Sequence, residues 1–180
     1  MVSIMKDISI IIVNYRGWNR LTKCLEALNS FQGKSFNDEV IVVDNKSDDD
    51  TIYKIKEQFP KFRFISNGIN GGFANGCNVG SRDATGEFLL FLNPDTVASE
   101  SEIEKLLDTA KQNPDHSILS CRQVNENGKE NIASGAFPNL FNLTGFQRAI
   151  LRSWKPGNGN QKTEISFPDW ISGSVILIRK

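Results

Sequence analysis

Ile8-Ser9-Ile10-Ile11-Ile12-Val13-Asn14-Tyr15-Arg16-Gly17 is the stretch on which the fold turns. Its first six residues are β-branched apart from Ser9 and carry no charge, as a strand buried on both faces requires, and the polar residues from Asn14 onward stop it. From Asn19 the period changes. Leu21, Cys24, Leu25, Leu28 and Phe31 recur at three- and four-residue steps until Gly33, which predicts a helix with one apolar face.

The same alternation runs on down the chain. Val40 to Val43 is a second strand ending at Asp44. The turn Asp44-Asn45-Lys46-Ser47, with three more aspartates behind it, can cap a helix carrying Ile52, Ile55 and Phe59 that Pro60 closes. Phe62 to Ile65 is a third strand. After the glycine-rich bend Gly68 to Gly72, Phe73, Cys77 and Ala84 fall along one helical face until Thr85-Gly86. Phe88 to Leu92 is a strand halted by Asn93-Pro94-Asp95. Ser99 and Glu102 have capping-box spacing ahead of Ile103, Leu106, Leu107 and Ala110, and Ile118 to Cys121 reads as a fifth strand. Then the rhythm changes. Asn127-Gly128 predicts a hairpin, Leu140 to Trp154 an amphipathic helix, Pro156 to Gln161 a loop, and Trp170 to Ile178 a last strand.

Strands and helices in strict alternation predict an α/β fold with a mostly parallel central sheet flanked by helices, because parallel neighbours need crossover connections. Ligands of such sheets gather at the carboxyl ends of the strands. The residues there are Asn14-Tyr15, Asp44-Asn45 and Asn93-Pro94-Asp95.

Composition removes several function classes. Lys plus Arg number 21 and Asp plus Glu 21, so the strong basic signal of nucleic-acid binding is missing. Three cysteines, Cys24, Cys77 and Cys121, stand at unrelated spacings that suit neither a disulfide framework nor a Cys-x-x-Cys metal clip, and point to a reducing compartment. No apolar run is long enough for a transmembrane segment, so the expected location is cytoplasmic, with a peripheral position at the inner face of the membrane left open. A single histidine, His116, leaves little for a histidine triad or a multi-histidine metal site.

At the strand ends two readings compete for each side chain. Asp95, just past a buried strand and stiffened by Pro94, can present hard carboxylate oxygen to Mg²⁺ or Mn²⁺, or can simply cap its turn. Asp44 can accept from a base N–H or a ribose hydroxyl, or can satisfy its own turn through Asn45 and Ser47. Tyr15 can stack on a nucleobase or pack. Gly71-Gly72 permits close backbone approach to a diphosphate, but the bend is neither a P-loop nor a dinucleotide fingerprint, since no Lys-Ser/Thr follows and the glycine spacing differs.

Six segments in order, Ile10 to Tyr15, Val42 to Ser47, Asn70 to Gly80, Ala84-Thr85-Gly86, Phe91 to Thr96 and Trp170-Ile171-Ser172-Gly173, resemble the inverting family 2 glycosyltransferases of the GT-A fold, in particular a rhamnosyltransferase-like branch of bacterial polysaccharide synthesis. The resemblance implies transfer of a sugar from a nucleotide-diphospho-sugar to an acceptor hydroxyl, a saccharide or lipid-linked saccharide, with inversion. It places Val13 and Tyr15 at the nucleobase, Asp44 at the base or ribose, Gly72, Asn75 and Asn78 near the ribose and diphosphate, and gives Asp95 the metal, Mg²⁺ or Mn²⁺. Trp170, Ser172 and Gly173 match the acceptor side. Residues 1–121 then form the donor-binding half and 122–180 the start of the acceptor-binding half of one domain.

Two departures qualify this likeness. The family's Asp-x-Asp-type element reads Asn93-Pro94-Asp95 here, so one acidic position is an amide. No residue matches the family's general base, whose Glu-Asp-type motif lies downstream of the Trp-x-Ser-Gly strand, so that base is expected beyond Lys180 and the fold is expected to be truncated at its C-terminus. A catalytically silent nucleotide-sugar binding fragment is the main alternative. A nucleotidyltransferase is the other, although Asn14-Tyr15-Arg16-Gly17 lacks its glycine-rich basic loop.

Overall fold

The computed structural model describes residues 6–33, 35–137 and 165–180. The helix predicted over Leu140 to Trp154 and the loop over Pro156 to Gln161 lie outside the described residues. The chain divides into two compact units, Met1–Cys121 with Gly173–Lys180, and Arg122–Ser172.

The first unit carries β1 (Lys6–Asn14), α1 (Trp18–Asn29), β2 (Asp38–Asp44), α2 (Thr51–Gln58), β3 (Arg63–Ser66), α3 (Gly72–Arg82), β4 (Gly86–Leu92), α4 (Glu100–Gln112) and β5 (Ile118–Leu119). The second carries β6 (Gln123–Val124), β7 (Glu130–Asn131), β8 (Ser134–Gly135) and β9 (Trp170–Ile171), and the chain then returns to the first unit as β10 (Val175–Arg179). A six-stranded sheet of order β3-β2-β1-β4-β10-β5 results. β1 pairs in parallel with β2 and β4, β2 with β3, while β10 runs antiparallel between β4 and β5. The predicted α/β class with a mostly parallel, helix-flanked sheet is what forms.

Period-two alternation sorts β1 between two apolar layers. Ile8, Ile10 and Ile12 join Leu21, Leu25 and Leu28 of α1, Ile55 of α2 and Ile103 and Leu107 of α4. Ile11 faces the other way, with Ile41 and Val43. Every one of these isoleucines is at most 1% exposed on β1, and burying each side chain contributes about 1.5–3 kcal/mol. The uncharged run from Ile10 to Val13 is therefore the signature of a strand covered on both sides.

The layer behind Ile11 departs from the predicted helical face. Phe73 is 42% exposed, and Ala84 lies beyond the end of α3. Glycines make the contact instead. A Cβ on Gly76 would stand 2.5 Å from Val13 Cγ1, and one on Gly80 would stand 2.6 Å from Ile11 Cγ2. The helix comes so close to the sheet because it has no side chain there, a feature that apolar periodicity does not register.

At the amino edge of the sheet Glu39 Oε1 accepts from Ser9 Oγ (2.6 Å), Thr85 N (2.6 Å) and Thr85 Oγ1 (2.8 Å), and Ser9 Oγ accepts from Gly86 N (2.9 Å). Burial alone would push the Glu39 carboxyl up, but these donors hold it below the usual range. The predicted capping box of α4 forms, with Ser99 Oγ accepting from Glu102 N at 3.3 Å and Glu102 Oε2 from Ser99 N at 2.8 Å.

The predicted last strand, Trp170 to Ile178, is two strands. β9 pairs with β8 in the second unit and β10 with β4 in the first, with Ser172-Gly173-Ser174 between them. The polar break Ser172-Gly173-Ser174, which a single-strand reading ran across, is where the chain changes partner. In the second unit β6 and β7 form the hairpin expected at Asn127-Gly128, where Asn125 Oδ1 accepts from Asn127 N and Lys129 N, both at 3.0 Å, and Gly128 takes φ +73°. Among the described residues no helix is long and apolar enough to cross a membrane.

Candidate functional site

Register brings the carboxyl ends of the parallel strands level, with Asn14 opposite Asp44 and Asp44 opposite Ser66. Three loops leave this edge and are bonded to one another. Asn45 N donates to Asn14 O (2.7 Å) and Asn67 N to Asp44 O (2.8 Å). Arg16, at φ +54°, donates from its backbone N to Ser47 Oγ (2.8 Å) and from Nε to Ser47 O (3.3 Å), and its guanidinium lies 5.2 Å from the centre of the Tyr15 ring.

The Asp44 side chain is 6% exposed and satisfies its own turn. Oδ1 accepts from Ser47 Oγ at 2.5 Å and Oδ2 from Ser47 N at 3.3 Å. Each carboxylate oxygen keeps a second lone pair. Asp44 also lines a hollow of about 370 Å³ with Lys46, Asp48, Tyr53, Ser66 and Asn67, among others. That volume is at the lower end of the range for small-molecule sites.

Beside the hollow lies a chain of amides in which Asn67 and Asn70 carried no assignment from the sequence. Asn45, 2% exposed, donates from Nδ2 to Asn70 Oδ1 (2.8 Å) and Gly72 O (3.2 Å), and accepts at Oδ1 from Asn67 Nδ2 (2.8 Å). Asn67 Nδ2 donates as well to Asn75 Oδ1 (2.8 Å). The glycine bend is thereby fastened to the end of β2. Gly72 sits at φ +82°, and a Cβ on Gly71 would stand 2.6 Å from Asn75 Cγ. Asn45 and Asn67, each the first residue after a strand, were the available signal.

The other predicted residues sit as follows. Val13 is 8% exposed and packs under α3 against Gly76, while Tyr15, just past the end of β1, is 48% exposed and does not line the hollow. Asn78 is exposed on α3. Asn14 is fully buried. Its Oδ1 accepts from Gly17 N at 3.2 Å, and its Nδ2 has no hydrogen-bond partner among the described residues. Gly173, beside the end of β4, lies close to α3, its Cβ position being 3.8 Å from Phe73 Cε1. In the second unit the Trp170 indole covers Gly135 and donates from Nε1 to Ala136 O (3.3 Å), Ser172 N donates to Ala133 O (2.7 Å), and Asp169 Oδ2 accepts from Phe137 N (2.9 Å).

After β4, Thr96 N donates to Asn93 O (3.0 Å) and closes the turn, and Asn93 N donates to Ser174 O (2.9 Å). The Asp95 side chain is 52% exposed, and its one charged neighbour among the described residues is Arg20, Nη1 to Oδ2 3.9 Å. Hard divalent cations take oxygen ligands. No group of three or more His, Cys, Asp and Glu side chains able to hold an ion occurs among the described residues. One outward carboxylate beside a neutral amide, Asn93, suits a cation shared with the phosphate oxygens of a ligand and gives only weak binding to one held by protein atoms alone.

Residues 9–164 match the model of Glycosyl transferase family 2. A Haemophilus influenzae protein described as an uncharacterized glycosyltransferase is 35% identical over 123 residues, 66% of this chain and 41% of that protein. The poly(ribitol-phosphate) β-N-acetylglucosaminyltransferase TarP of Staphylococcus aureus is 27% identical over 69% of this chain and 39% of its own. Among solved structures, S. aureus TarS 1-349 in complex with UDP is 27% identical, with a TM-score of 0.50 over 67% of this chain and 38% of that one. A Pyrobaculum calidifontis mannosyltransferase in complex with GDP-Man and Mn²⁺ shares the fold, at 21% identity and a TM-score of 0.53 over 66% of this chain and 36% of that one. The chain thus spans about two fifths of the H. influenzae and TarP relatives.

Proposed function

The chain belongs to glycosyl transferase family 2, and from that premise we propose that it supplies the donor-binding half of an inverting sugar transferase, residues 1–121, with 122–180 opening the acceptor side. The observation that carries the reading is Asp95: its carboxylate stands half-exposed at the carboxyl end of a buried parallel strand, free of any capping amide among the described residues. A turn cap would have spent those oxygens on backbone N–H groups.

In the proposed reaction an acceptor hydroxyl attacks the anomeric carbon of a nucleotide-diphospho-sugar, the nucleoside diphosphate leaves from the opposite face, and a carboxylate base takes the hydroxyl proton. Asp44, Asn67 and Ser66 line the hollow that takes the nucleoside, and Val13 and the exposed Tyr15 are assigned to the base. Gly72, Asn75 and Asn78 lie toward the ribose and diphosphate, and Trp170, Ser172 and Gly173 toward the acceptor. Mg²⁺ or Mn²⁺, held by Asp95 together with the diphosphate, supplies charge stabilisation to the leaving group. Bacterial polysaccharide or glycoconjugate synthesis, with a saccharide or lipid-linked saccharide acceptor at the cytoplasmic face of the membrane, is the setting this chemistry suits.

Calorimetry tests the reading. UDP, dTDP or GDP is expected to bind with Mn²⁺ present, and Asp95→Ala to abolish the metal-dependent part of the affinity. No nucleotide binding at all would mark a silent domain. Pyrophosphate release from a nucleoside triphosphate and a sugar phosphate would replace the proposal with a nucleotidyltransferase.

A further inference from the structure

Arg20 lies in the first turn of α1, and its guanidinium is 3.9 Å from Asp95 Oδ2. That exceeds hydrogen-bond distance, and the side chains are 73% and 52% exposed, so the pair is a weak one held by charge rather than by a fixed fork. The Cys24 thiol, one turn along the same helix, is pushed up to about 12, chiefly by burial and secondly by the negative charge of Asp95. Asp95 therefore leans over the Arg20–Cys24 face of α1. Arg20 has no other hydrogen bond or ion pair among the described residues, whereas the nearby Arg16 is committed to Ser47 and Tyr15.

The charges at this edge do not balance for a diphosphate. Where a second carboxylate would help to hold a cation, Asn93 is neutral, so the protein brings one negative ligand to the metal. We infer that Arg20 is an exchangeable cation of the site: it neutralises Asp95 while no ligand is bound, and turns its guanidinium to the diphosphate oxygens when a divalent cation takes the carboxylate. A planar fork of N–H donors suits two phosphate oxygens, and a loosely held, solvent-exposed side chain can change partners without breaking packing. This role rests on the donor-site reading above.

Opposite signs for two ligands follow. Without nucleotide, Arg20 and Mn²⁺ compete for Asp95, so Arg20→Gln binds Mn²⁺ alone more tightly, by roughly two- to fivefold, in titrations followed by the paramagnetic resonance of free Mn²⁺. With Mn²⁺ saturating, Arg20→Gln binds the nucleoside diphosphate more weakly, by about tenfold, while affinity for the nucleoside without phosphates stays that of the unaltered chain. Arg20→Lys keeps the competition with Mn²⁺ and loses part of the diphosphate affinity. Equal far-UV dichroism and melting of the variants verify folding. Mn²⁺ affinity that falls or stays constant in Arg20→Gln, or diphosphate affinity that stays constant, overturns the exchange while the donor site stands. If the unaltered chain binds no nucleoside diphosphate, the donor-site reading fails and the arginine's role falls with it.

Discussion

Asn45→Asp replaces one buried side chain by another of the same shape and tests whether the amide chain holds the glycine bend in place. The change removes both Nδ2 donations, to Asn70 Oδ1 at 2.8 Å and to Gly72 O at 3.2 Å. When ionised, it sets a negative charge against those two oxygens, next to Asp44, at a position 2% exposed. Burial and neighbouring oxygens both disfavour the charged form, so the new carboxyl titrates above its unfolded value of about 3.9. A group raised in the folded state stabilises below its unfolded pKa and loses that stability as pH rises through the folded one. Near pH 4 the protonated carboxyl still donates one hydrogen bond, and the variant lies only about 1 kcal/mol below the unaltered chain. A rise of about two units adds ~3 kcal/mol, bringing the deficit to about 4 kcal/mol near pH 8.

Urea unfolding of both proteins at the two pH values measures this difference, and titrations common to both cancel. Asn45→Ala serves as the control, since it loses the same bonds with no charge and its deficit is pH-independent. A deficit for Asn45→Asp that is flat with pH, or under about 1 kcal/mol near pH 8, would show that Asn45 is not held against those oxygens.

Other perturbations probe the scaffold. Gly80→Ala gains up to about 1 kcal/mol of helix propensity but drives a methyl to 2.6 Å from Ile11 Cγ2 and 3.1 Å from Val43 Cγ2. Overpacking of about 1–3 kcal/mol outweighs that gain, and Gly80→Val lowers the melting temperature further. Glu39→Gln weakens the latch at the amino edge of the sheet. Because the Glu39 carboxyl is held below its usual range, its contribution is present above the unfolded pKa and lost as pH falls through the folded one, so the stability gap between variant and unaltered chain narrows on acidification. Equal gaps at neutral and acid pH, read from parallel melts, would contradict that assignment. Gly86→Ala is the most damaging single methyl in this set, since it meets backbone rather than a side chain, 2.5 Å from Ser9 N, and should leave little folded protein.

The layering of the sheet was legible because β1, β2 and β4 are buried on both sides, and such burial writes an unbroken apolar run whatever the partners are. The capping box of α4 was legible because its chemistry is local. The contact between α3 and the sheet was not, since glycine leaves no apolar mark and only the approach of Val13 and Ile11 shows why Gly76 and Gly80 stand there. The division of Trp170 to Ile178 was legible only as the Ser172-Gly173-Ser174 break, because which sheet each half joins depends on residues far away in sequence. At the site, the strand-end rule singled out Asp44 and Asp95, whereas Asn75 was offered only by the family resemblance. The sequence offered turn-satisfaction through Ser47 and ligand contact as alternatives for Asp44, where the structure shows the turn bonds and a hollow together, and it gave no sign that Arg20 would reach Asp95 from another element.

The loops at this edge differ in how they are held, and the difference bears on the order of binding. Those following β1, β2 and β3 are tied together through Asn14 O, Asp44 O, Ser47 and the Asn45–Asn67–Asn75 chain, so the part of the site assigned to the nucleoside is formed before any ligand arrives. The turn after β4 is joined to the sheet at Ser174 and to α1 by one loose ion pair. On the donor-site reading, with a single carboxylate and a competing arginine, that turn binds a cation tightly only when phosphate oxygens complete the coordination and draw Arg20 away. Metal and nucleoside diphosphate should then strengthen each other's binding by the same factor, as linkage demands, whereas metal and nucleoside alone should bind independently. Coupling of equal size with and without the phosphates would place the cation elsewhere than Asp95.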